Sequence, residues 1–253
     1  MKEKRLQQLE NYIKSYHMCT YEELMDHFGV SKSTIRRDVG ELCRLGSVRK
    51  TYGGVTFAED EADDREEEGR LFKFESMKDA IAAEASQMVE DEDIIILGSG
   101  STVAHMVHHL KNKNNLTIIT NNFMVIQEAM NYDFNVISVG GNLYRHTMSF
   151  VGTATVKMLR ELNANKAFVS CNGITQANGF SNVADLECDI KKVILNISSK
   201  TIVLADHRKF DTLSLYTYAN FGDVDTVITD QKPPKEYIDL FKNISTDLRI
   251  VES

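Results

Sequence analysis

Apolar residues recur along this chain in two rhythms, and the change of rhythm divides it. Leu6, Leu9, Ile13 and Tyr16 stand three or four residues apart, which predicts an amphipathic helix over 4–16. Leu24, Met25 and Phe28 repeat that spacing after Thr20-Tyr21-Glu22-Glu23, a capping-box pattern, and Gly29 supplies the stop. Ser31 can cap a third helix that runs to about Leu45 and closes at Gly46. Two short capped helices joined by a Gly-Val-Ser turn predict a helix-turn-helix. Ser47-Val48-Arg49-Lys50-Thr51-Tyr52-Gly53-Gly54-Val55 then alternates small apolar and basic residues up to Gly-Gly, the pattern of a hairpin wing.

From residue 76 onward, short continuous apolar runs alternate with helical spacing. Strands are expected at 94–97, 116–120, 134–139, 167–169, 201–205, 224–229 and 248–251. Helices are expected at 77–89, 103–110, 185–198 and 235–242. That alternation predicts an α/β domain with a largely parallel sheet. Between the two rhythms, residues 58–70 (AEDEADDREEEGR) hold eight acidic and two basic residues with no apolar period. Such a stretch buries nothing and reads as a solvated hinge or the frayed start of a helix. The expected organisation is a helix-turn-helix unit at 3–58, an acidic linker at 59–75 and an α/β unit at 76–253.

Charge supports the division. The net charge of −8 splits into 10 basic and 7 acidic residues over 1–57, and 19 and 30 over 58–253. A basic head on an acidic body hints at nucleic-acid binding by the head alone. On the third helix Ile35, Val39, Leu42 and Cys43 share one face, while Ser33, Arg37, Gly40 and Arg44 share the other. Arg37 is placed to read a base, and Lys32, Ser33, Thr34 and Arg36 to contact phosphates, with Arg49 and Lys50 of the wing over the backbone. Four Cys without a C-x-x-C argue against a zinc knuckle or a disulfide scaffold. No apolar run reaches the ~18 residues of a membrane span, and no secretory signal opens the chain, so a cytoplasmic protein is expected.

In the second unit, small polar residues follow the expected strands: Gly98-Ser99-Gly100-Ser101-Thr102, Thr120-Asn121-Asn122, Gly140-Gly141-Asn142 and Cys171-Asn172-Gly173. Ligands of open α/β sheets collect at those carboxyl ends. The first loop precedes an expected helix, so its N–H groups, hydroxyls and helix dipole favour phosphate. It is neither a Walker A motif nor G-x-G-x-x-G. After the strand ending at Ala205, Lys209 is a candidate phosphate or sugar ligand, and Asp206 could bind a hydroxyl or orient that lysine.

Val30-Ser31-Lys32-Ser33-Thr34-Ile35-Arg36-Arg37-Asp38, with Arg49-Lys50-Thr51-Tyr52-Gly53-Gly54-Val55, resembles the winged helix-turn-helix of the DeoR family, bacterial regulators that mostly repress sugar catabolism genes. Residues 76–230 resemble that family's effector domain, similar in fold to ribose-5-phosphate isomerase and the CoA-transferases. The matching pieces are Gly100-Ser101-Thr102, Thr120-Asn121, Gly140-Gly141, Asn172-Gly173-Ile174, Gly179, Glu187, Lys191 and Asp206 with Lys209-Phe210. His207 and Arg208 depart from the family's Asp-x-Ser-Lys-Phe, as Asn165 and Cys188 depart elsewhere. The resemblance implies a domain that binds a phosphorylated sugar or polyol and signals to the head. It adds Lys191 to the effector residues.

An isomerase fused to a winged helix is the enzyme alternative. It would need an Asp-Gly-Ala-Asp turn and a Lys-Gly-Gly-Gly loop, and neither string occurs. A metal sensor would rest on His105-x-x-His108-His109, but no acidic or Cys partner stands nearby in sequence, so these read as a solvated face with no metal. The expected protein is a repressor without catalytic residues or cofactor. Its expected partners are double-stranded operator DNA, the effector and further copies of itself as a homodimer or homotetramer.

Overall fold

The computed structural model describes residues 5–6, 9–10, 12–13, 18–44, 47–51, 54–57 and 64–251. Two compact units, Met1–Phe72 and Lys73–Ser253, divide the chain.

In the first unit residues 5–6, 9–10 and 12–13 are helical, and Leu6, Leu9 and Ile13 are buried as their spacing predicts. Tyr16 and the Thr20 side chain lie outside the described residues. Strand β1 (Met18–Thr20) precedes helix α1 (Tyr21–Phe28), and α2 (Lys32–Arg44) follows the turn at Gly29. Gly29 has φ +61°, the left-handed conformation that stops a helix at low cost only with glycine. The wing is the hairpin β2 (Val48–Thr51) and β3 (Gly54–Phe57), paired Val48 to Phe57 through Thr51 to Gly54. β1 adds to the other side of β3, a strand that the chain's rhythm did not reveal. Leu6, Leu9, Ile13, Leu24, Ile35, Val39, Leu42, Val48 and Val55 form one buried cluster.

Helix α3 spans Asp64–Gln87, so the acidic stretch enters a helix that begins well before the expected 77. The boundary of the units, between Phe72 and Lys73, falls inside the segment read as a linker.

The second unit is built on a sheet of seven strands, all parallel: β4 (Ile94–Leu97), β5 (Thr117–Thr120), β6 (Asn135–Ser138), β9 (Ala164–Ser170), β12 (Ser198–Leu204), β14 (Thr226–Thr229) and β15 (Asp247–Ile250). Their order is β15-β14-β12-β9-β4-β5-β6. The chain therefore starts in the middle, runs outward through β5 and β6, and returns to the far side of β4. That reversal makes the crevice between β4 and β9 the topological switch point. Alternate strand residues serve opposite faces: Ile95 and Leu97 join Ile81, Ala82 and Ala85 of α3, while Ile96 joins Ile190, Val193 and Ile194. The last three lie on α8 (Asp185–Ile197), and α9 (Lys235–Lys242) adds Tyr237 and Phe241 to the same side.

The helix expected at 103–110 is two single turns, α4 (Ser101–Ala104) and α5 (Met106–His109), parted at His105. Elements that carry little apolar rhythm went unseen. They are α6 (Phe123–Ala129), the hairpin β7 (Asn142–Tyr144) and β8 (Ser149–Val151), α7 (Thr153–Leu159), and a small sheet of β10 (Gly173–Thr175), β11 (Gly179–Asn182) and β13 (Tyr216–Ala219). Among the described residues no helix is long and apolar enough to cross a membrane.

Candidate functional site

The outward face of α2 carries the residues expected to meet DNA. Lys32, Ser33, Arg36 and Arg37 are exposed, and Thr34 is half-buried. Ser31 caps the helix as expected: its Oγ accepts from the Thr34 N–H at 3.4 Å, and lies 2.9 Å from Ser33 Oγ and 3.0 Å from Thr34 Oγ1. The Arg36 guanidinium stands 6.0 Å from the centre of the Tyr21 ring on α1. The side chains of Arg44, Arg49 and Lys50 lie outside the described residues. Asp38 is fully buried on the inward side and accepts from Arg5 Nε at 2.7 Å, which ties the first helical segment to α2. Its place beside Val39 in the sequence was the available signal, a charge beside the inward face.

In the second unit all the expected effector loops leave the carboxyl ends of neighbouring parallel strands. The loop after β4 is held from both sides. Asn122 Nδ2 donates to the carbonyls of Gly98 and Gly100, each at 3.1 Å, and Ser170 Oγ donates to the Ser99 carbonyl at 2.9 Å. Gly100 has φ +116°, and a Cβ there would sit 2.3 Å from Ser170 Oγ, so the close approach needs glycine. Ser99 and Thr102 are buried, while Ser101 is half-buried. Because α4 has only four residues, the helix dipole expected behind this loop is small. Its anion-binding capacity rests instead on its N–H groups and hydroxyls.

Thr120 is fully buried, with its hydroxyl donated to the Leu97 carbonyl and accepting from the Asn122 N–H, so it works inside the fold. Asn121 donates through Nδ2 to the Phe150 carbonyl at 2.9 Å, and its buried Oδ1 has no partner among the described residues. Gly140 and Gly141 are exposed, and the Gly140 carbonyl accepts from Thr155 Oγ1 at 2.9 Å. Asn172 Oδ1 accepts from the Val183 N–H at 3.4 Å, which fixes the chain ahead of α8.

Lys191 on α8 is 2% exposed, and its Nζ donates to the Ser170 carbonyl and, at 3.0 Å, to Asn182 Oδ1. Burial lowers its pKa against the pull of Glu187. Asn182 passes the network on to Glu187 Oε2 at 3.3 Å, leaving the buried Oε1 without a partner among the described residues. Tyr218 adds its hydroxyl to the Ser170 carbonyl at 3.3 Å, and its ring lies 5.1 Å from Lys191 Nζ. Burial pushes the neighbouring Cys171 thiol up to about 12, although the charges of Lys191 and Lys209 pull it down. Lys191 is thus bonded to the end of β9, and the charges of Lys209 and Asp206 act on Cys171 just beyond it.

The Asp206 carboxylate is held by Arg208. It accepts from Arg208 Nε at 2.8 Å, from Arg208 Nη2 at 3.0 Å and from the Arg208 N–H at 3.1 Å. Burial raises this carboxyl, but the Arg208 bonds and the Lys209 charge outweigh it and hold it below the usual range. His207 turns to Asp230, with Nδ1 2.8 Å from Oδ2. The two residues that break the familiar motif therefore make their own pairs, and Lys209 is not oriented by Asp206. Sequence reasoning missed Ser170, Asn182 and Tyr218, and found the loop of Asn122 without its bonds. A polar residue closing an apolar strand, as Ser170 does, was a usable signal; Tyr218 reaches Ser170 across 48 positions.

The His105-x-x-His108-His109 group has the acidic partner that the sequence hid. Asp79 Oδ1, on α3, lies 2.9 Å from His109 Nε2, 3.0 Å from His108 Nε2 and 3.8 Å from His105 Nδ1. Burial raises the Asp79 carboxyl, yet the His109 hydrogen bond and the histidine charges bring it below its usual value.

Comparison with known proteins gives the chain its family. A profile described as "DeoR C terminal sensor domain" matches residues 73–231, and one described as "DeoR-like helix-turn-helix domain" matches residues 5–61. The HTH-type transcriptional regulator IolR of Bacillus subtilis is 39% identical over 94% of each chain. The glycerol-3-phosphate regulon repressor of Escherichia coli is 27% identical over 88% of each. Among solved structures, ribose 5-phosphate isomerase A of Methanocaldococcus jannaschii is matched with a TM-score of 0.39, 21% identity and 54% of each chain covered.

Proposed function

The chain belongs to the DeoR family of transcriptional regulators, and from that premise we propose that it is an operator-binding repressor relieved by a phosphorylated sugar or polyol. The observation that carries the effector reading is the loop after β4. It is fixed by Asn122 and Ser170 at the switch point of the sheet, beside the end of β9, whose Ser170 carbonyl accepts from Lys191. Ser99, Gly100, Ser101 and Thr102 offer N–H groups and hydroxyls to a phosphate. The unpartnered Asn121 Oδ1 offers an acceptor to a sugar hydroxyl, whose binding would remove the cost of leaving a buried acceptor unpaired. Lys209 supplies positive charge, and Lys191 holds the strand end from which the cleft is made. The names of two relatives point the same way, since one regulates a glycerol-3-phosphate regulon and the regulators named are not enzymes.

On the head, Arg37 reads base edges in the major groove while Lys32, Ser33, Thr34 and Arg36 fix the helix on phosphates, joined by Arg44 and the wing residues Arg49 and Lys50. Paired half-sites call for a homodimer or a homotetramer acting in the cytoplasm, where its operator is. A thermal-shift panel of sugars and their phosphates tests the effector class. A phosphorylated member at ~100 times its Kd should stabilise the chain by ~2.7 kcal/mol, with the unphosphorylated parent silent. Equal stabilisation by the parent sugar would remove phosphate from the reading.

A further inference from the structure

We propose that Asp79, His108 and His109, with His105 beside them, form a binding site for a divalent transition-metal ion. Two imidazole Nε2 atoms approach the same carboxylate oxygen at 2.9 and 3.0 Å, and the three ligand atoms all lie within 4.8 Å of one another. Zinc binds histidine nitrogen and carboxylate oxygen at ~2.0–2.2 Å, so two ligands at a tetrahedral angle stand about 3.3 Å apart. The observed spacing is within a few tenths of an ångström of that. A small outward movement of the rings admits the ion, and His105 Nδ1, 3.8 Å from Asp79 Oδ1, is placed to complete the set.

An ordinary ion pair needs one imidazole against one carboxylate. Here three histidines from one short stretch converge on a single oxygen, and His108 and His109 are in ring contact with centres 3.9 Å apart. Adjacent side chains on a single helical turn normally diverge by about 100°. Their convergence on one carboxylate places several donors at one point, which is what a metal requires. The four side chains are neither sealed nor fully solvated, with exposures of 24–43%. A cavity of about 760 Å³, lined by His105, His108, Gln127 and Glu128 and reaching Ser101 of the loop after β4, opens beside them and gives an ion a way in. The donor set selects the ion class: imidazole suits zinc, nickel, cobalt and copper, whereas magnesium and calcium prefer all-oxygen cages. Bound there, the ion would clamp the Asp79 turn of α3 to α5.

The full-length chain, stripped with chelator and desalted, should take up one equivalent of Zn2+ in competition with a chromogenic indicator, and its melting temperature should rise. Mg2+ at the same concentration should do neither. D79A and the double variant H108A/H109A should each weaken Zn2+ binding by more than the roughly 10–100-fold that outer-shell partners cost. C43S and H146A should bind as the parent does. A variant with altered far-UV circular dichroism is replaced by its Asn or Gln counterpart. Absence of stoichiometric Zn2+ binding by the parent overturns the site, whatever the variants do. Retention of binding by D79A or by the double variant, or its loss in C43S, overturns it as well.

Discussion

The two units use polar residues in opposite ways. On α2 the side chains proposed to meet DNA, Lys32, Ser33, Arg36 and Arg37, are exposed on a helix whose other face is closed by Ile35, Val39 and Leu42. In the sheet unit the polar groups are buried and interlocked: Lys191 with Ser170 and Asn182, Asn182 with Glu187, and Asn122 with Gly98 and Gly100. An exposed cation can change its ligand without consulting the interior, whereas a buried network must stay satisfied to stay folded. The head should therefore separate binding from stability, and the sheet unit should not.

The largest expected effect breaks the buried side of that comparison. Lys191→Met leaves the Ser170 carbonyl short of a donor and Asn182 Oδ1 without one, at about 1–3 kcal/mol for each unsatisfied group. Urea unfolding should show a loss of about 2–4 kcal/mol, together with the loss of any effector response. A fully stable Lys191→Met protein would show the network to be dispensable. Next, Arg37→Ala should cost about 1–3 kcal/mol of discrimination between operator and mismatched DNA. Its unfolding free energy should stay within about 0.5 kcal/mol of the parent, as for most surface substitutions. An operator titration unchanged in Arg37→Ala would misplace the reading face.

A smaller and sharper effect concerns pH. The folded Asp206 carboxyl lies below its unfolded value of about 3.9, so its contribution is complete above that pH and is lost only as pH falls through the lower folded value. Arg208→Ala removes the side-chain bonds and leaves the backbone N–H bond and the Lys209 charge against burial. The folded value should then rise toward the unfolded one, and the stability lost as pH falls should be smaller than in the parent. Chemical unfolding between pH 3 and 6 reads that difference, and an unaltered profile would mean that Arg208 does not govern this carboxyl.

The same contrast explains what was legible in the sequence. The face of α2 follows from a period of 3.6 residues, and Ser31 caps the helix where its side chain type predicts, because both are local. The parallel sheet follows from apolar runs such as Ile94–Leu97, which need no knowledge of their neighbours. Elements with little apolar pattern, including β7, β8 and β10, were silent because tertiary contacts decide them. In the cleft the loops were found but their fastenings were not: Ser170 reaches Ser99 across 71 positions and Asn122 reaches Gly98 across 24. Asp206 shows the limit most clearly. Its neighbourhood to Lys209 suggested that it orients the lysine, and the structure gives it to Arg208 instead. Asp79 and His109 stand 30 positions apart, so their meeting was equally hidden.

The central claim is that an acidic, ligand-binding unit controls the affinity of a basic head for DNA. Fluorescence titration of the full-length chain onto its operator, at fixed salt, with and without the phosphorylated sugar or polyol that stabilises it, tests this most directly. The effector should weaken operator binding about 5–150-fold, equivalent to ~1–3 kcal/mol of coupling, while its unphosphorylated parent leaves the curve in place. A bound phosphorylated ligand that stabilises the protein and yet leaves the operator affinity unchanged would contradict the account.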